Sequence, residues 1–189
     1  RANMQWHCDS TFLPIPALTN ILTARVIAAT GGNTEFASTR AAFADLPEAE
    51  QERLRGMFFR HNAWHSRERL SPELAESNKF HKWPEQCWRA VWRNPVNGKE
   101  AIYVASHAFA VDGMAPEEGQ AFIDQLTAHA TQPAYMYSHA WREGDVLIWD
   151  QRSVLHRATP WDYSQPRKLS SICVSATPDD GVDAMRMIS

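Results

Sequence analysis

Long apolar runs are missing from this chain: nothing in it approaches the about 20 consecutive residues that a membrane-spanning helix needs. Excess charge of one sign is missing too. Lys and Arg number 19 against 22 Asp and Glu, for a net charge of -3. That leaves no basic footprint for nucleic acid, so neither nucleic acid nor a membrane is expected as a partner. Cysteine is scarce. The three thiols (Cys8, Cys87 and Cys173) are odd in number and show no C-x-x-C spacing, which argues for a reduced, cytoplasmic setting. A secretory leader pattern is absent from the start, and so are internal repeats and low-complexity segments. No initiator methionine is present, and the most chemical motif begins at residue 7. A core motif normally has upstream strands to pair with, so an N-terminally incomplete chain is expected.

What is present fits one domain over 1–189, with a hydrophobic fraction of 44% that is enough for a real core. Residues 5–12 read as a strand, and 18–27 as a second, β-rich towards its end. Thr30-Gly31-Gly32-Asn33 is a turn, and 34–38 is a short extended segment. Ser38 or Thr39 can cap a short helix, and Pro47 can open another whose apolar stripe is Leu54, Met57 and Phe58. Residues 60–88 have no clean period, which suits a lid, a binding loop or a disordered stretch. Asn97-Gly98 inside 89–110 is a strong hairpin signal. Pro116 opens a helix with Phe122, Ile123, Leu126 and His129 on one face, and His129 suits the helix end as a cation. The last third is strand-rich: 134–141, a buried-strand run over 146–150, then 153–156 and 169–176. The tail after Pro178 shows no pattern that would place it. Trp6, Phe36 and Trp149 read as core, and Asp150 with Arg152 as a structural pair. Many strands with a few inserted helices suit a jelly-roll-type double-stranded β-helix, cupin-like in outline.

The chemistry starts at His7-Cys8-Asp9. On a strand, residues i and i+2 share a face, which would put an imidazole beside a carboxylate. That is two-thirds of the facial triad that holds ferrous iron and leaves positions open. Alone the pair is weak evidence, because two-residue patterns recur by chance. The chain offers only one His-x-Asp and no His-x-Glu. His156 ends an apolar strand and can supply the third ligand. Arg167 follows at the start of the final strand, where a guanidinium can make a two-pronged pair with a carboxylate. Thr34 can add a hydroxyl donor to the same anion.

The assembled pattern resembles the taurine dioxygenase and 2,4-dichlorophenoxyacetate dioxygenase (TauD/TfdA) family of Fe(II)- and 2-oxoglutarate-dependent dioxygenases. The resemblance rests on Trp6-His7-Cys8-Asp9-Ser10-Thr11-Phe12, on Gly31-Gly32-Asn33-Thr34-Glu35-Phe36 and on Asn94-Pro95-Val96-Asn97-Gly98-Lys99. It rests also on the run from Gly144 through Asp150 and Arg152 to His156-Arg157, and on Arg167. Thr34-Glu35-Phe36 and Leu155-His156-Arg157 bring it nearer the 2,4-dichlorophenoxyacetate branch. The resemblance implies His7, Asp9 and His156 as catalytic iron ligands, with Thr34 and Arg167 on the far carboxylate of 2-oxoglutarate. It implies an oxidoreductase using Fe(II), O2 and 2-oxoglutarate, which hydroxylates a small organic substrate and releases succinate and CO2.

Two departures accompany it. About a hundred residues that the family carries upstream are expected to be missing, judged by ordinary domain size. The family's second arginine, four residues after the first, is here Ser171. A hydroxyl cannot replace a bidentate guanidinium, so a carboxylate or sulfonate substrate would need another cation, such as Arg157 or Arg25. Asn3, His107 and Ser171 are candidate substrate contacts. Cys8 should point away from the iron. The competing reading is a non-catalytic jelly-roll protein that keeps the ligands as a metal-binding or sensory site. Self-association into a homo-oligomer is left open.

Overall fold

The structure, a computed structural model, describes residues 2–71, 73 and 82–187. Among them lie eleven strands. Ten-residue β1 (Ala17–Val26) is the spine of one sheet, hydrogen-bonded antiparallel to β9 (Val146–Asp150) on one edge and β11 (Lys168–Ser175) on the other. The register sets Ile21 opposite both Ile148 and Ile172. A second sheet has β2 (Thr34–Ser38) between β8 (Met136–His139) and β10 (Val154–Ala158), again antiparallel. A third pairs β3 (Phe58–His61) with β4 (Gln86–Arg89) and β7 (Ala108–Val111). The expected hairpin forms from β5 (Val91–Arg93) and β6 (Glu100–Ile102), with Gly98 at φ 69° closing its turn. The fold is a jelly roll with short inserted helices.

Local chemistry explains the helices. The Ser38 side chain accepts from the Ala41 amide and caps α1 (Thr39–Ala44). Pro47 precedes α2 (Glu48–Arg55), where Glu48 and Glu50 face the positive end of the helix dipole. The stripe read along this helix is only partly on it. Leu54 is buried, but α2 stops at Arg55, and Phe58 already belongs to β3, opposite Arg89. A helical and a strand period had merged into one apparent pattern. Further on, α3 (His65–Glu68) is a single turn and α4 (Pro116–Ala130) buries Ile123 and Leu126. At the end of α4, His129 Nε2 bonds the Ala42 carbonyl at 2.8 Å and so ties that helix to α1. The main core gathers Phe43, Leu54, Phe59, Ile123 and Leu155, each contributing about 1.5–3 kcal/mol by burial.

Three other expectations change. Residues 5–12 are not a strand. Only His7 bridges, to His156, and the chain then turns through Ser10, the one non-glycine with positive φ among the described residues (61°). Asp9 sends its amide to the Gln151 side chain rather than into a ladder. The 146–150 run is a strand but not a buried one: Val146 is 58% and Ile148 66% exposed, beside Ile172 at 65%. One face of the β9–β1–β11 sheet is thus apolar and open among the described residues. The tail is ordered by Asp180, which accepts from the Thr177 amide and hydroxyl. Val182 and Met185 then pack on Trp88, Trp92 and Tyr103. Trp88 Nε1 donates to the Thr11 carbonyl at 2.7 Å and Trp92 Nε1 to that of Asp180 at 3.1 Å, so both buried indoles are satisfied. The lid reading for 60–88 falls partly on 72 and 74–81, His81 included, which lie outside the described residues.

Candidate active site

His7 and His156 meet through their main chains. The amide of each donates to the carbonyl of the other, at 3.0 and 2.9 Å. On its other edge β10 is in register with β2, with His156 opposite Phe36. The two imidazoles are therefore fixed by backbone, and their ring centres lie 4.1 Å apart. Asp9 enters the same space from the turn. Its Oδ1 is 3.7 Å from His7 Nε2 and its Oδ2 3.5 Å from His156 Nε2. One donor atom from each of the three residues falls within 4.8 Å of the other two.

Protonation favours metal binding here. Burial lowers the pKa of His7, against the opposing pull of Asp9. Burial first, and the neighbouring His7 second, hold His156 well below the usual histidine range. Both rings are neutral at pH 7, as ligands must be. His7 Nδ1 lies 2.7 Å from the Gln5 carbonyl, so the proton sits on Nδ1 and a bare Nε2 faces Asp9. Two lone-pair donors facing each other repel unless a cation lies between them. The set fits a divalent transition metal of the two-histidine, one-carboxylate kind. His156 has no comparable anchor: its Nδ1 is buried without a protein partner among the described residues, and its ring is held by Trp149 at 4.8 Å.

Asp9 is held more firmly. Asn20 Nδ2 and Gln151 Nε2 both donate to its Oδ2 at 2.6 Å, and Ser171 Oγ donates to Asn20 Oδ1 at 2.7 Å. Asn20 is on β1, Gln151 just past β9, and Ser171 on β11, so one sheet supplies the whole bracket. Alanine at Asn20 or Gln151 is expected to weaken metal binding about 10- to 100-fold, as loss of outer-shell partners does. Titration calorimetry with Mn(II) checks this, and unchanged affinity in both variants would refute it.

A cavity of ≈ 420 Å³ opens beside the three donors, with Thr34, Trp149 and Arg167 in its walls. Arg167 Nη2 donates to the Gly32 carbonyl at 2.7 Å, and the guanidinium lies 4.7 Å over the Trp161 ring. Gly32 sits at φ +71°, and a Cβ there would come within 2.8 Å of Arg167 Nε. Glycine is needed both for the backbone conformation and for the close approach. Thr34 Oγ1 accepts from Trp141 Nε1 at 2.9 Å, so its own hydroxyl hydrogen is left to donate elsewhere.

The strand order, the donor cluster and the arginine-ended cavity now stand beside known proteins. A family model described as "Taurine catabolism dioxygenase TauD, TfdA family" matches residues 1–173. The chain belongs to the TauD/TfdA family. A 2,4-dichlorophenoxyacetate dioxygenase of Burkholderia sp. (strain RASC), named as alpha-ketoglutarate-dependent, is 36% identical over 168 residues, which is 89% of this chain and 57% of that protein. The (S)-phenoxypropionate/alpha-ketoglutarate-dioxygenase of Sphingobium herbicidovorans is 34% identical, over 88% of this chain and 60% of its own length. This chain thus spans less than two-thirds of both relatives. A crystal structure of AAD-2 with Mn(II) and N-oxalylglycine superposes with TM-score 0.88 at 36% identity, covering 93% of this chain and 70% of that one.

Within this TauD/TfdA member the expected residues are distributed as follows. His7, Asp9, His156, Thr34 and Arg167 come together around one cavity, with Asn3 and Ser171 in the same walls. Ser171 is committed to Asn20. His107 lies instead in a smaller neighbouring cavity. Arg157 does not supply the extra cation: its Nε donates to Glu35 at 2.7 Å and its guanidinium covers Trp6. Arg25 lines neither cavity. Cys8 does point away from the donors, with Sγ 3.4 Å from the Val154 carbonyl in the main core, and burial raises its pKa. Asp150 and Arg152 pair doubly at 2.9 Å as expected. Asn20, Gln151 and Trp141 escaped the sequence reading, because nothing in their local pattern marks a residue that acts through another. Trp149 was read as core but lines the cavity, and its Nε1 is buried without a partner among the described residues.

Proposed function

We propose that residues 1–189 are the catalytic domain of an Fe(II)- and 2-oxoglutarate-dependent dioxygenase that hydroxylates a small organic substrate. The observation that carries this reading is the convergence of His7, Asp9 and His156 on a cavity that ends at Arg167. Iron held by these three residues would supply O2 activation, with one oxygen atom going to succinate as CO2 leaves and the other to the substrate as a hydroxyl group. The chain's own part is geometry. His7 presents a bare Nε2 because Gln5 holds the proton on Nδ1. Asn20 and Gln151 keep Asp9 oriented by donating to it. Arg167, already tethered to Gly32, needs little reordering to take the distal carboxylate of 2-oxoglutarate, and Thr34 adds its hydroxyl hydrogen. Trp149 packs its ring beside His156 and so holds that ring in place.

The substrate is a small molecule. The relatives' names point to phenoxy acids, and a sulfate ester dioxygenase of Pseudomonas putida is 27% identical. Three unpaired thiols fit a reducing, cytoplasmic setting, and no helix among the described residues is long and apolar enough to cross a membrane. The test is succinate formation by the full-length protein, which should require Fe(II), 2-oxoglutarate and O2 together. Metal binding without succinate across aryloxy and alkyl carboxylates, sulfonates and sulfate esters would favour a non-catalytic metal-binding protein instead.

A further inference from the structure

A second cavity of ≈ 170 Å³ adjoins the donor cluster. It shares Asn3, His7 and Asp9 with the first, and its remaining walls include Phe12, Arg67 and His107. The two cavities thus meet at the donor residues, and each holds an arginine: Arg167 in one, Arg67 in the other. Arg67 comes from α3, in the stretch whose irregular pattern hid it from the sequence reading.

The surroundings of Arg67 are built rather than incidental. Its Nη1 donates to Ser66 Oγ and lies 3.5 Å from His107 Nε2. His107 Nδ1 is 3.3 Å from Thr11 Oγ1, and Thr11 in turn is 3.2 Å from His61 Nδ1. The edge of the His107 ring meets Phe12 at 4.8 Å. His61 and His107 are fully buried and stay neutral, burial pushing His61 down to about 3. Arg67 is therefore the one permanent cation among the described residues lining this cavity. It is close enough to His7 and His107 to depress both of their pKa values. Phe12 supplies an apolar surface beside it, and the volume suits a compact molecule.

We infer that Arg67 binds the anionic group of a small acidic substrate in the second cavity, with the apolar body of that substrate against Phe12. This rests on the dioxygenase reading above and deepens it. Arg167 and Lys168 line the first cavity and Arg67 of α3 the second, so substrate anion and 2-oxoglutarate carboxylate occupy separate cavities that meet at the donor cluster. Both anions would then be drawn to separate arginines rather than compete for one.

The experiment pairs each acid with its neutral methyl ester or amide, using aryloxyacetates, short alkyl carboxylates, sulfonates and sulfate esters, on the full-length protein loaded with Mn(II) and 2-oxoglutarate under anaerobic conditions. Binding is measured by calorimetry. Wild type should prefer the anion of the accepted pair, and the accepted anion identifies carboxylate, sulfonate or sulfate. Arg67→Ala and the longer Arg67→Gln should each weaken that anion about 30-fold or more, leaving the neutral partner within about twofold of wild type. A misfolded variant would lose both partners and also 2-oxoglutarate, so Arg67→Lys, which keeps charge but not the fork, should recover part of the anion's affinity alone. Loss in Lys168→Ala, which removes the lysine in the wall of the first cavity, with none in either uncharged Arg67 variant would overturn the assignment. So would equal binding of ester and acid by wild type. Failure of wild type to bind 2-oxoglutarate at all would instead sink the dioxygenase reading.

Discussion

Alanine at His7, Asp9 or His156 is expected to abolish 2-oxoglutarate turnover, each substitution alone, and to lower metal affinity by more than about 100-fold. Outer-shell partners by themselves are worth about 10- to 100-fold, and a direct ligand should exceed them. The fold should survive these changes for a specific reason. The tie between residues 7 and 156 is made by main-chain amides and carbonyls at 3.0 and 2.9 Å, which alanine retains. Removing Asp9 also takes the acceptor from Asn20 and Gln151, whose side chains are buried, so Asp9→Ala should lower the melting temperature more than the two histidine variants. The checks are succinate release, Mn(II) titration and a thermal melt on each variant. Near-normal turnover in any one of the three would remove that residue from the ligand set.

Arg167→Ala should weaken 2-oxoglutarate binding by about 30-fold or more, the usual consequence of removing one partner of a hydrogen-bonded charge pair. Metal affinity should stay put, because the contacts of Arg167 are with the Gly32 carbonyl and the Trp161 ring and not with the three donors. Arg167→Lys should recover little, since an ammonium cannot reproduce the planar fork stacked on Trp161. Gly32→Ala should produce a milder version of the same defect with Arg167 intact, as its methyl group would press on Nε from 2.8 Å. Calorimetric titration of 2-oxoglutarate into the Mn(II)-loaded protein reads all three. An unchanged dissociation constant in Arg167→Ala would move the co-substrate carboxylate elsewhere.

The strands around the site were legible because their signals are local. Gly31-Gly32, Asn97-Gly98 and Gly144 each mark a turn with positive φ, and β1, β2, β9 and β11 begin and end within a residue or two of where the pattern puts them, whereas β3, β4 and β7 carry no local signal that marks them as strands. The separation of His7, Asp9, His156 and Arg167 along the chain was legible only through the family resemblance. No local rule joins residue 7 to residue 156. The strand assumed for 5–12 brought His7 and Asp9 together for the wrong reason: a turn through Ser10 does it, aided by Asn20 and Gln151, whose role shows only in three dimensions. The run Val146-Leu147-Ile148 looked buried because apolar residues are adjacent, yet a strand alternates and half of them face outward. Arg67 was hidden by lying in a stretch without period, beside histidines that carry no motif.

The main-chain bridge between His7 and His156 also bears on the order in which the molecule assembles. It closes a loop comprising most of the chain, and such closures come late because their entropy must be met before the contact repays it. The donor cluster is therefore expected to form late in folding. Metal would then latch the finished jelly roll rather than template its first steps. A chelator should accordingly act mainly on how fast the native protein opens and leave the rate at which it forms almost untouched.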